Sequence, residues 1–215
     1  MSNRVKTVVA LGVSLLTYFF LSIFPLGWVV LYPFKLLVTF LHEFGHALGA
    51  LLTGGGVHEV EINSDGSGVT TTSGGFRPIV IAGGYIGSAV FGNLIMRAGL
   101  RYGEWSRWLL NGLLIVMVAI ATIWSGNFGN TLLAFAFAAG LYTISLRHDE
   151  LVAWFLVFVG TVSVLFVIQD FRVGPSSDLA QFAHAVPILP QAGWMFVWLG
   201  VVVALTWNNV KSLMR

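Results

Sequence analysis

The sequence predicts an all-α polytopic membrane protein, a bundle of about six to seven transmembrane helices that carries one small β-hairpin. Three observations predict it. Of 215 residues, 57% are hydrophobic and only 9% are charged, whereas a soluble domain carries about 25% charged residues. Seven apolar runs, near 7–24, 34–52, 78–96, 108–124, 131–146, 151–168 and 192–207, each approach the roughly 20 residues a spanning helix needs. Eight Trp and seventeen Phe suit lipid faces and interfacial belts.

Arg4 and Lys6 precede the first run. That run is long, and no small-residue cleavage site closes it before Pro25, so it reads as an uncleaved first span rather than a signal peptide. After the second run the pattern changes. Val57-His58-Glu59-Val60-Glu61-Ile62 mixes β-branched and polar residues, Asp65-Gly66 offers a tight turn, and Gly68-Val69-Thr70-Thr71-Thr72 reads as a return strand. A hairpin over about 57–72 is marginal alone and needs the protein body, or a bound peptide, to lean on.

The third run is glycine-rich, with Gly83-Gly84-Tyr85-Ile86-Gly87-Ser88 followed by Gly92-Asn93. Small residues four apart let helices approach closely in lipid, so the plain reading is tight packing. The functional reading sets this helix against the second and has Gly83, Gly84 and Asn93 orient a substrate or ligand. The fifth run is short and interrupted by Gly140. The connection 169–191 is polar and broken by Pro175, Pro187 and Pro190, and within it 176–184 reads as a capped short helix. No internal repeat is visible, and a single membrane-embedded domain, 1–215, accounts for the chain without an appended soluble domain.

A net charge of +2 is too small to call for a nucleic-acid partner. With no cysteine, disulfides, thiolate ligands and a cysteine nucleophile are excluded. The chemistry concentrates in His42-Glu43-Phe44-Gly45-His46, set inside an apolar run. Histidines four apart sit one turn above each other on a helix, so both rings reach one ion, and Glu43 can take a proton from a water held there. An ionisable group at the bilayer centre costs roughly 2.5–3.5 kcal/mol. Three within five residues argue for use.

A catalytic zinc site needs a third protein ligand. Outside the motif the candidates are His58, Glu59, Glu61, Asp65, Glu104, His148, Asp149, Glu150, Asp170, Asp178 and His184. Because the motif occupies the later half of the second span, its partner must return to that side of the membrane. Four further crossings bring back Asp170, Asp178 and His184; Glu104 and the 148–150 loop emerge opposite, and the hairpin acids lie on the right side. Asp178 is preferred because it begins a helix leading to the last span, whereas Asp170 pairs naturally with Arg172. The plain alternative is that Asp178 serves only as a helix N-cap after Pro175-Ser176-Ser177. His184 reads more simply as an interfacial histidine, and His58 and His148 as solvated loop residues.

These stretches resemble the site-2 protease class of intramembrane zinc metallopeptidases, in its compact branch without a PDZ-like domain. The resemblance rests on 42–55 with the hairpin residues 65–70, on Ala82-Gly83-Gly84-Tyr85-Ile86-Gly87-Ser88-Ala89, and on Ser177-Asp178 before the Trp-containing last run. It implies a peptidase core over about 34–200, one zinc ion held by His42, His46 and an aspartate, Glu43 as general base and acid, and membrane protein or peptide substrates. Larger members carry an Asp-Gly pair at that aspartate; here Leu179 follows Asp178. A competing reading is a non-proteolytic membrane scaffold or chaperone that keeps the fold. A metal transporter would need ionisable residues along several spans, and these spans have few. Counting basic residues in the seven-span arrangement places the N-terminus and the motif outside, with Lys35, Arg97, Arg101, Arg107, Arg147, Lys211 and Arg215 on the opposite face. The resemblance implies a site near the cytosolic face, the reverse orientation.

Overall fold

A computed structural model describes residues 3–63, 65–101, 105–123, 128–146, 149–169, 171, 174–175 and 177–214. In chain order the elements are α1 (Asn3–Ile23), α2 (Pro25–Leu52), β1 (Gly56–Ile62), β2 (Gly68–Ser73), α3 (Arg77–Arg101), α4 (Trp105–Ile123), α5 (Phe128–Ser145), α6 (Asp149–Gln169), α7 (Asp178–Ala185) and α8 (Gln191–Leu213). The protein is 81% helical with one small two-stranded sheet, so the expected fold class holds. Among the described residues, α1, α2, α3, α6 and α8 are long and apolar enough to cross a membrane, and α4 contains a shorter apolar helical segment, Leu110–Ile123.

The seven long helices follow the seven apolar runs in order. The largest departure is α2, which starts at Pro25 rather than near 34 and carries Pro33 inside it. Pro25 occupies the first helical turn, where its missing N–H costs nothing. In a membrane, an interior proline is tolerated because neighbouring groups satisfy the freed carbonyl. Phe24 alone, in an extended conformation, separates α1 from α2. A Cβ at Gly27 would run into the Leu21 carbonyl, so the turn is as tight as two helices permit. Gly140 does not break α5; open space faces its missing side chain.

α3 is the central helix, packed against α2, α6 and α8. Glycines set those crossings. A Cβ on Gly45 would strike the Gly83 carbonyl, and one on Gly83 would strike the Gly45 carbonyl. Gly92 and Gly160 make the same mutual approach between α3 and α6. Backbones this close gain dispersion contacts that lipid chains cannot supply. Asn93 belongs to the α3–α8 seam. Its amide donates to Ala89 O at 2.9 Å and to Thr206 Oγ1 at 3.0 Å, while Asn209 donates to the Asn93 carbonyl and side-chain oxygen.

The hairpin lies back along α2. β1 and β2 pair antiparallel from Gly56↔Ser73 to Ile62↔Gly68, with His58 as the extra residue of a bulge. Gly66 takes φ +83° in the turn, a conformation that favours glycine. Lys35 Nζ donates to Asp65 O at 2.8 Å, and Thr39 Oγ1 donates to Gly66 O at 2.7 Å. Lys35, counted above among far-side charges, therefore lies against the hairpin tip.

Short α7 is seated by apolar burial. Leu179 and Phe182 pack with Tyr85, Ile81, Val167 and Trp198 in one core cluster. Ser177 is the N-cap: its hydroxyl accepts from Ala180 N at 3.2 Å and donates to Gly174 O at 2.8 Å.

Candidate metal centre

Because Ser177 caps α7, the carboxylate of Asp178 is released from that duty and turns toward α2. Its Oδ2 lies 3.0 Å from His42 Nε2 and 3.3 Å from His46 Nε2, and the two Nε2 atoms are 3.1 Å apart. Among the described residues, His42, His46 and Asp178 form the group able to hold a metal ion. Tetrahedral zinc with bonds of about 2.0–2.1 Å separates its ligand atoms by about 3.3 Å. The observed triangle is within a few tenths of an ångström of that. Two imidazole nitrogens and one carboxylate oxygen are also the donor set of a catalytic site that keeps a fourth position open.

The surroundings fit the same group. His46 Nδ1 donates to Val80 O at 2.8 Å, which fixes the ring and aims Nε2 at its partners. The His42 ring meets the Tyr85 ring edge-on at 4.8 Å, and Tyr85 is backed by Phe171 and Trp198. A Cβ at Gly84 would come within 2.5 Å of His46 Nε2 and 2.6 Å of His42 Nε2. Only glycine leaves the imidazoles their room. Burial opposes ionisation of Asp178, but hydrogen bonds and positive charge from the two histidines outweigh it and hold the carboxyl well below the usual carboxylate range.

Glu43 is 5% exposed. One carboxylate oxygen accepts from the Thr70 hydroxyl at 2.6 Å, and that hydroxyl also lies 3.1 Å from the Glu43 carbonyl. A cavity of about 1300 Å³ opens onto His42, His46, Asp178 and Glu43 together, with β2 along one wall. That exceeds the roughly 300–1,000 Å³ of a small-molecule pocket. Ser88, on α3, also lines the cavity, buried and with no partner for its hydroxyl among the described residues, so it offers a donor to a polar occupant.

The other sequence candidates fall elsewhere. Gly83 shapes the α2–α3 crossing and Gly84 the space beside the histidines. Asn93, expected to orient a substrate, is outside the cavity lining and clasps α3 to α8. His58 bonds Ser73 on the hairpin, and Asp65 is held below the usual carboxylate range by Ser67, whose backbone N–H and hydroxyl both donate to it. His184 is exposed near the far end of α7. Glu59, Glu61 and Glu150 are not in the ligand group. Glu104, His148 and Asp170 lie outside the described residues, as does the side chain of Asp149. Sequence reasoning missed Thr70, Tyr85 and the Val80 carbonyl. One signal was present: Lys35, Thr39 and Glu43 recur every four residues, a polar stripe on an apolar helix.

A multi-helix membrane bundle whose imidazoles and carboxylate converge beside a buried glutamate has the layout of a membrane metallohydrolase. The sequence matches the family model described as Peptidase M50B-like over residues 6–208. The chain belongs to this family, a site-2 protease family of membrane metallopeptidases, and is an integral multi-pass membrane protein. No curated protein and no solved structure matches it significantly.

Proposed function

We propose that this chain is an intramembrane zinc metallopeptidase that hydrolyses peptide bonds of membrane-associated protein substrates. One observation carries the reading: three ligand-type atoms within 3.3 Å of one another share a cavity with a buried carboxylate. His42, His46 and Asp178 would hold one zinc ion. When bound, the ion supplies Lewis acidity, which acidifies a water molecule and polarises the scissile carbonyl. Glu43 accepts the proton of the attacking water and returns it to the leaving amine. The apolar cluster shared by α3, α6, α7 and α8 backs the site, and the lower dielectric on that side strengthens these polar contacts.

A transmembrane helix hides its carbonyls in its own hydrogen bonds, so a substrate must unwind before it is cut. β2 pairs with β1 along one edge, and its outer edge carries no third strand among the described residues. Gly68 to Thr72 line the cavity. An extended peptide added to that edge regains the main-chain bonds it lost by unwinding.

The test uses purified protein in detergent or liposomes, with quenched fluorescent peptides built on single transmembrane segments. Glu43→Ala is expected to keep stoichiometric zinc and lose cleavage by about 10²–10⁴-fold. His42→Ala is expected to lose the ion. Cleavage by the Glu43→Ala protein at the wild-type rate would sink the peptidase reading and favour a scaffold that retains the fold.

A further inference from the structure

Three polar residues of α2, Lys35, Thr39 and Glu43, are spaced four apart, so they form one stripe along the helix. Each holds the hairpin: Lys35 at the Asp65 carbonyl, Thr39 at the Gly66 carbonyl, and Glu43 at the Thr70 hydroxyl. The first two rungs grip main chain at the turn. The third is the carboxylate that the proposed reaction uses as its base. Gly68 tightens this rung, since a Cβ there would lie 2.6 Å from both Cγ and Oε1 of Glu43. From the other side, Thr70 stands opposite Val60, which is buried in the core with Leu37, Phe40 and Ala47. The strand is thus pinned to the bundle at the residue that touches the carboxylate.

We infer that Thr70 is a positioning residue: its hydroxyl sets the orientation of the Glu43 carboxylate and ties it to the strand on which an extended peptide pairs. The inference rests on the peptidase reading and deepens it. A hydroxyl donating at 2.6 Å removes the rotational freedom of a carboxylate that must meet a water on one side and a leaving nitrogen next. Displacement of β2 carries the carboxylate with it, so strand pairing and base placement become one event.

The experiment compares Thr70→Val, which keeps the shape and removes the hydroxyl, with Thr70→Ser, which keeps the hydroxyl. Thr70→Val should lower kcat by about tenfold to hundredfold with KM and zinc content unchanged. Thr70→Ser should restore most of kcat. A second readout needs no turnover: hydrogen exchange of the β2 amides in metal-free protein. Exchange should quicken in Thr70→Val and less in Glu43→Ala, which keeps the Glu43 carbonyl as a second acceptor. The double variant should exchange no faster than Thr70→Val, because the side-chain contact is already gone there. Wild-type kcat in Thr70→Val, a Ser variant as slow as the Val variant, or additive effects on exchange would each overturn the inference. If Glu43→Ala abolishes cleavage while Thr70→Val is unimpaired, the inference about Thr70 falls alone. If Glu43→Ala cleaves normally, the peptidase reading falls and takes this one with it.

Discussion

Gly84 is the position where a single methyl group tests the metal centre most directly. A Cβ there would sit 2.5–2.6 Å from both His42 and His46 ring atoms, so at least one imidazole must turn away. Gly84→Ala is expected to weaken metal affinity by about 10–100-fold, the range seen when ligand orientation is disturbed. Metal titration with helix content followed in parallel checks this; wild-type affinity would show that the rings have slack. Side-chain roles differed in how readably the sequence carried them. The histidine pair was legible because helical spacing alone brings i and i+4 together. The nearness of Asp178 to that pair agrees with the parity expectation, and the cap that the sequence also allowed it is made by Ser177 instead. The Thr70–Glu43 contact joins residues 27 apart across a strand and a helix, and no local pattern encodes that. Asn93 misled because an amide beside a glycine run suits a ligand or a helix seam equally well; here Thr206 and Asn209 claim it.

At the level of elements, α7 and the hairpin make separable predictions. α7 has eight residues, too few to persist as an isolated helix, so its cap and its apolar underside hold it. Ser177→Ala should cost about 0.5–2 kcal/mol of helix stability. The loss would appear as faster zinc release, while Ser177→Asp, also a capping residue, would release it normally. Equal release rates for all three proteins would mean that α7 is held by packing alone. Replacing 57–72 with a short glycine linker is expected to abolish cleavage of transmembrane peptides with His42, His46 and Asp178 still loaded. Unchanged cleavage would end the strand-addition mechanism. The hairpin was readable because its alternation and Asp65-Gly66 turn are local features. Its course back to Lys35 was not, since that depends on which face of α2 is polar once the bundle closes. The early start of α2 was hidden because a count of apolar residues does not reveal that Pro25 fits a first helical turn or that Pro33 is tolerated inside a packed membrane helix.

For the whole molecule, the order and number of apolar runs carried most of the architecture, because each run must cross or pack within a layer of known thickness. The crossings themselves were less legible, being set by pairs such as Gly45 with Gly83 and Gly92 with Gly160 that meet only in three dimensions. If zinc occupies the centre, it binds the folded bundle and not the unfolded chain, so it adds about 2.7 kcal/mol at a free concentration one hundred times Kd. A strong chelator should lower the thermal midpoint and added zinc should restore it; a midpoint indifferent to both would argue that no ion is held. His42 and Asp178 are 136 residues apart in the chain. While the ribosome is still delivering α3 to α6, the nascent polypeptide holds His42 and His46 without the Asp178 carboxylate that completes their group. Biosynthesis then acts as a safety catch: on the peptidase reading, the cutting centre is armed only after helices α1 to α6 have been made.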